Sequence, residues 1–330
     1  MGSNRFGRNE RNYRHAAKNT ADFICISPNQ IVFGMVQLIP HKTVPRFSDS
    51  LLAWYFVIVW GSGFIATKAG LQYAAPFTFL SLRFAVGIAF LLPIALVLKP
   101  RWPGTYAEWF HLVVAGLMMY AINLAGSHYA QYLGMSAGVA AIILAAQPLL
   151  TAIIAAVWLS ERPSRRQWIG VAVGLAGVAM VVWHKINIAA VGVGSLVAVA
   201  IALLALTAGT LYQRRFCANA DLRSSALIQF AACLLVVAPL SYVVEGAMVT
   251  WSWTLMVAIL FLVIFASIFA VNALHILMRQ GEAARVSGML YLPPVVAVAL
   301  EWPLFGVVPT ATSLFGILVT CVGVALAVRR

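Results

Sequence analysis

Residues 138–182 read GVAAIILAAQPLLTAIIAAVWLSERPSRRQWIGVAVGLAGVAMVV. A long apolar run is followed by a short hinge carrying Glu161, Arg162, Pro163, Arg165 and Arg166, and then by a second apolar run studded with glycines. Two apolar runs of about 18 residues or more, back to back, exceed what a soluble core helix needs and fit a membrane hairpin. The same phrase returns near the C-terminus. An offset of 146 residues carries Pro148 onto Pro294, Pro163 onto Pro309, Gly170 onto Gly316 and Gly177 onto Gly323. Outside this stretch it also carries Gly63 onto Gly209, Lys68 onto Arg214, Phe84 onto Phe230 and Pro93 onto Pro239. The chain is therefore read as an internal duplication.

Composition sets the environment. Of 330 residues, 62% are hydrophobic and 9% charged, with a mean hydropathy of +0.92. Soluble domains carry about 25% charged residues, so an all-α membrane protein is expected. The net charge of +13 comes from single and paired basic residues between apolar runs, without a basic patch interleaved with aromatics, so no nucleic-acid partner is expected. Cys25, Cys217, Cys233 and Cys321 lack metal-ligand spacing, and neither a metal nor a disulfide framework is expected. Residues 1–50 are polar and basic and read as a disordered cytoplasmic arm, or as sequence upstream of a working start at Met35.

Apolar runs set against charged or Pro/Gly breaks give ten spans: about 50–70, 76–98, 108–132, 138–160, 167–184, 192–214, 223–244, 252–278, 286–306 and 311–328. One side of the membrane then receives Lys42, Arg46, Lys99, Arg101, Arg162, Arg165, Arg166, Arg214, Arg215, Arg223, Arg279, Arg285, Arg329 and Arg330. The other receives Lys68 and Lys185. Basic flanks mark the cytoplasmic side, so both termini are expected inside a cytoplasmic (inner) membrane. The duplication divides into repeats at 51–184 and 192–328. Each holds five spans, an odd number, so the second copy is expected to enter from the opposite face, giving two inverted repeats. Such a plan places a site for a small solute between the repeats near the bilayer midplane.

Several motifs resemble a known family. Trp60-Gly61-Ser62-Gly63-Phe64 with Lys68, Pro76 with Arg83-Phe84, Gln147-Pro148-Leu149, Ser160-Glu161-Arg162 and Gln167-Trp168-Ile169-Gly170 resemble, in this order, the EamA domain of the drug/metabolite transporter superfamily. The resemblance covers about residues 51–328. It implies a ten-helix inner-membrane carrier, usually an exporter of amino acids, metabolites or drugs. The second copy departs from the pattern, since Val307 stands at the position matching Glu161.

Polar side chains inside spans are costly and point to function or to helix–helix bonding. Tyr120, Asn123, Ser127 and Gln131 share one face of the third span by their i, i+3, i+7 and i+11 spacing. Gln147 and Thr151 lie one turn apart in the fourth, and Ser287, Tyr291, Pro294 and Glu301 share a face of the ninth. Trp60, Tyr120, Asn123, Gln147 and Tyr291 are the expected substrate-lining residues; aromatic rings and neutral amides suit apolar and hydrogen-bonding solutes. Pro148, Pro293 and Pro294 are expected to break helices at matched mid-membrane positions. Glu301, the one carboxylate well inside a span, is expected to pair with Arg83 or Lys68 in an outer gate or ion pair. Coupling, if present, falls to Glu301, His128, His275 or backbone carbonyls. The small-residue faces Gly170/Gly174/Gly177 and Gly316/Thr320/Gly323 read as scaffold or homodimer contacts.

Gly61-Ser62-Gly63-Phe64-Ile65-Ala66 formally fits a dinucleotide fingerprint, but it lies inside an apolar span with no strand before it, so no cofactor is expected. No nucleophile elbow or zinc motif supports an enzyme. The expected function is a secondary transporter of small organic metabolites, acting by alternating access. The alternative is a receptor or assembly factor that retains the fold without transport.

Overall fold

The repeated apolar runs become helices in the computed structural model, which describes residues 46–158, 164–187, 192–218, 220–269 and 292–328. The helices are α1 (Arg46–Gly70), α2 (Pro76–Leu98), α3 (Tyr106–Tyr132), α4 (Ala137–Leu144), α5 (Gln147–Trp158), α6 (Arg165–Asn187), α7 (Val193–Phe216), α8 (Leu222–Glu245), α9 (Trp253–Leu260), α10 (Pro293–Phe305) and α11 (Ala311–Val328). Among the described residues β pairing is confined to one bridge, Ala74 with Val249. Four helices, α2, α3, α7 and α8, are long and apolar enough to cross a bilayer; at 1.5 Å per residue each reaches past the ~30 Å hydrocarbon core. Shorter apolar helices accompany them at Ala137–Thr151, Trp253–Ser267, Pro293–Phe305 and Ala311–Leu326.

Two features depart from the plain rods read from the sequence. The fourth apolar run is two helices: α4 ends at Leu144, two residues turn, and α5 starts at Gln147. Pro148 has no N–H to give the Leu144 carbonyl, and the Leu149 N–H bonds the Ala146 carbonyl instead. α10 starts at Pro293, the position that the 146-residue offset assigns to Gln147. Both prolines of that pair, with Pro148, thus occupy the opening positions of helices rather than helix interiors. The second feature is a widened turn. α3 passes through a π segment at Leu117–Ile122, and α9 runs on into a π segment at Phe261–Phe269. The offset carries the first onto the second. Such bulges add a residue to a turn and concentrate at functional sites.

Packing follows the duplication. α3 packs on α7 and α8 while α9 packs on α1 and α2; α5 packs on α7 while α10 packs on α1; α2 lies along α8 and α6 along α11. Exchange of the repeats maps each of these contacts onto another or onto itself. The α6–α11 seam uses both small-residue faces against each other. A Cβ on Gly177 would sit 2.5 Å from the Thr320 nitrogen, and one on Gly323 would fall on the Gly174 backbone. These glycines therefore make a scaffold contact within the chain.

Charged groups fasten helix ends. At one end of the bundle Asp221 accepts the Arg101 N–H at 3.0 Å, and Ser224 Oγ donates to the Arg101 carbonyl at 2.7 Å, joining α2 to α8. At the other end Glu245, the last residue of α8, accepts the N–H groups of Phe77 and Thr78 at 2.9 and 2.8 Å, the Thr78 hydroxyl at 2.8 Å and the Tyr129 hydroxyl at 2.9 Å. Gly246 follows with φ +68°, the left-handed turn that stops α8 there. The first turn of α2 is capped by a carboxylate from the other repeat, favourable both for its orphan N–H groups and for the helix dipole.

Candidate substrate path and its closed end

At the same end as Glu245, a second carboxylate caps a second helix across the repeats. Glu301 of α10 is 2% exposed. It accepts the N–H groups of Ala137 and Gly138, the first two residues of α4, at 2.8 and 2.9 Å. Ser136 Oγ takes the third, from Val139, at 3.2 Å. Lys68, in the last turn of α1, donates to Glu301 Oε1 at 2.6 Å and lies 4.7 Å over the Phe305 ring. Gly138 makes this approach possible, since a Cβ there would collide with Val298. One carboxylate thereby ties α1, α4 and α10 together. Of the two expected partners of Glu301, the structure supplies Lys68. Arg83 forms neither an ion pair nor a hydrogen bond with any described residue.

The substrate-lining candidates fall in two groups. Trp60 is half-buried, stacks on Phe56 at 5.3 Å and packs against the cluster that contains Tyr120, Phe84 and Phe230. Tyr120 lies inside the π segment, edge-on to Phe230 at 5.3 Å. Asn123 follows directly; its Nδ2 donates to the Met119 carbonyl at 3.0 Å, which turns Oδ1 away without a partner. Ser127 and Gln131, predicted on the same face, are buried with them. Gln147 is elsewhere, at the start of α5, with Nε2 3.3 Å from Thr151 Oγ1 and 3.5 Å from Thr210 Oγ1 of α7. Tyr291 lies outside the described residues, as do Ser287, His275 and the hinge residues Glu161 to Pro163.

Near the interrupted runs a narrow crevice is lined by Ile142, Ala145, Pro294, Ile317, Thr320, Cys321 and Val324. Its wall is apolar. His128 is buried edge-on to Phe79 at 5.5 Å. Among the described residues no three His, Cys, Asp or Glu side chains cluster as metal ligands.

Sequence reasoning passed over Glu245 because it stands at the end of a span. The signal available was an acidic residue directly before a glycine, at a helix C-terminus where the dipole disfavours it. Its compensation comes from the α2 N-terminus, which is distant in sequence.

Two tandem helical repeats that exchange their contacts, with orphaned polar groups between them, define a membrane transporter architecture. The chain matches the EamA-like transporter family over residues 48–183 and again over 193–329; it belongs to that family, of the drug/metabolite transporter type, and is a multi-pass membrane protein. It is 27% identical over 284 residues to a Salmonella typhimurium protein named "Probable amino-acid metabolite efflux pump", covering 83% of this chain and 93% of that one. It is 27% identical to the Bacillus subtilis protein named "Uncharacterized transporter YvbV", over 78% of this chain and 84% of that one. To the Escherichia coli protein named "Uncharacterized inner membrane transporter YedA" it is 27% identical, over 83% and 91%. A crystal structure with 19% sequence identity superposes with a TM-score of 0.58, over 86% of this chain and 97% of that chain, and shares the fold.

Proposed function

We propose that this protein exports small organic solutes, amino-acid-like or drug-like, across the cytoplasmic membrane by alternating access between two inverted five-helix repeats. The observation that carries the reading is the matched pair of irregularities. Widened turns at Leu117–Ile122 and Phe261–Phe269, and helix starts at Gln147 and Pro293, recur at one offset in both copies. Interruptions repeated in two halves are where transporters free backbone groups for a solute. The bias of basic flanks supports placing both termini inside. On that orientation Lys68–Glu301 and Glu245–Tyr129 close the outer end, and the ion pair is the outer gate. The name carried by the Salmonella relative supports export and an amino-acid-like cargo.

The test is an export and uptake screen of cells with and without the protein, against amino acids, nucleosides and toxic analogues, followed by flux in proteoliposomes. Flux that falls when Trp60→Ala or Asn123→Ala is introduced is the expected result. Unchanged accumulation of every solute, with folded protein in the membrane, sinks the carrier reading in favour of a receptor or assembly factor.

A further inference from the structure

Arg83 lies on α2 seven residues after Pro76, about 10 Å along the helix. It has neither an ion pair nor a hydrogen bond to any described residue. Four carboxylates are committed elsewhere: Glu108 to the Gly104 N–H, Asp221 to the N–H groups of Arg101 and Arg223, Glu245 to α2 and Tyr129, and Glu301 to Lys68 and α4. Arg83 stands one turn after Phe79, which His128 meets edge-on at 5.5 Å, and directly before Phe84, which packs in one cluster with Tyr120. Along α3, Tyr120 Oη, Asn123 Oδ1 and His128 Nδ1 are each enclosed and without a hydrogen-bond partner among the described residues. A charge and three orphaned polar atoms, gathered inside apolar helices, are expensive unless a ligand answers them.

The duplication shows that packing at this position does not call for a cation. The 146-residue offset carries Arg83 onto Gln229, beside the matched pair Phe84 and Phe230. It carries Tyr120 onto Ala266, Asn123 onto Phe269 and His128 onto Leu274. Gln229 is fully buried against α3 at Gly116, so the equivalent position is built with a neutral amide. Gln229 is polar and its Nε2 and Oε1 are likewise without a partner, but of these four matched pairs only Arg83 brings a full charge.

We infer that Arg83, with Tyr120 and His128, is an anion subsite that receives the carboxylate of the transported solute, while Trp60 and the Phe84/Phe230 rings take its apolar body. The inference rests on the carrier reading for the word transported, and names the chemical class: a small organic carboxylate. A guanidinium offers a carboxylate two charge-assisted hydrogen bonds. A deaminated acid and an α-amino acid share that group. Asn123 Oδ1, an acceptor, is where an α-ammonium would add a contact.

The experiment measures equilibrium binding to the full chain in lipid nanodiscs for 3-phenylpropionate, its neutral isostere 3-phenylpropionamide and L-phenylalanine, using wild type, Arg83→Lys and Arg83→Gln. Wild type is expected to bind the acid at least ~10-fold more tightly than the amide. Arg83→Gln, the residue already used at the matching position, is expected to fold and to lose that preference; Arg83→Lys keeps part of it. L-Phenylalanine binding more tightly than 3-phenylpropionate identifies an amino-acid site, and the reverse a simple organic-acid site. Equal affinity for acid and amide in wild type, binding of neither, or a preference that survives in Arg83→Gln overturns the inference. Should Arg83→Gln fail to fold, the wild-type acid–amide ratio and Arg83→Lys decide. Flux of the same probes in proteoliposomes separates the two readings. Arg83-dependent binding without flux leaves the subsite and removes the carrier; flux of neutral solutes alone does the opposite.

Discussion

Replacing Glu301 by alanine removes the carboxylate that ties α1, α4 and α10 together. The substitution removes the acceptor for the Ala137 and Gly138 N–H groups, each costing about 1–3 kcal/mol if left dry. It also strips Lys68 of its counter-charge; Lys68 is 22% exposed and can turn to water, so that part is discounted. Breaking a buried pair costs about 3–5 kcal/mol in general. The two routes meet at a loss of about 3–4 kcal/mol. Lys68→Met leaves Glu301 with both backbone donors and should cost less, about 1–2 kcal/mol. Glu301→Gln keeps one acceptor but turns an N–H₂ toward existing donors, and should fall between the two. Equilibrium unfolding in mixed detergent–SDS micelles, with all three variants in parallel, gives the order. A Glu301→Ala loss under about 1 kcal/mol, or a Lys68→Met loss larger than that of Glu301→Ala, would refute the reasoning that the carboxylate acts mainly as a helix cap.

Gly323→Leu forces a side chain onto the Gly174 backbone and should destabilise by more than about 3 kcal/mol, seen as a collapsed melting temperature, whereas Gly104→Ala, where an added Cβ meets nothing, should stay within about 0.5 kcal/mol. Burial pushes the Cys217 thiol, just past the end of α7, up to about 11. In a variant keeping that cysteine alone, maleimide labelling should be slow at pH 7 and rise about tenfold per pH unit toward pH 10, because only the thiolate reacts. A rate that levels off near pH 8.5 would contradict this.

The duplication, the helical content and the apolar runs were legible because each is written in local composition and a constant offset. Proline at 148 announced a break, but it did not tell whether the helix would kink or end; the two-residue turn at Ala145 and Ala146 depends on how α4 and α5 lean on α7. The π segments were not legible. An extra residue in a turn leaves no compositional trace in LMMYAI or FLVIFASIF, and it arises from packing across the repeats. Glu301 stood out by being acidic inside an apolar run, and Lys68 and Arg83 were equally plausible partners by depth. The choice of Lys68 follows from α1 lying along α10, which no spacing within either helix encodes. Glu245 shows the same limit from the other side, since a residue at a span end looks solvated until a distant helix start is placed on it.

The α2–α8 pair is latched at both tips, by Asp221 on Arg101 at one and by Glu245 on Phe77 and Thr78 at the other, with Phe230 seated over Gly87 between them. Two rods fastened in this way can roll together but cannot fan apart. In the alternating access proposed above, the remaining helices would swing around them, with this pair as the axle. Arg83 rides on that axle, so under the proposed mechanism its charge would keep a fixed address while the walls around it turned.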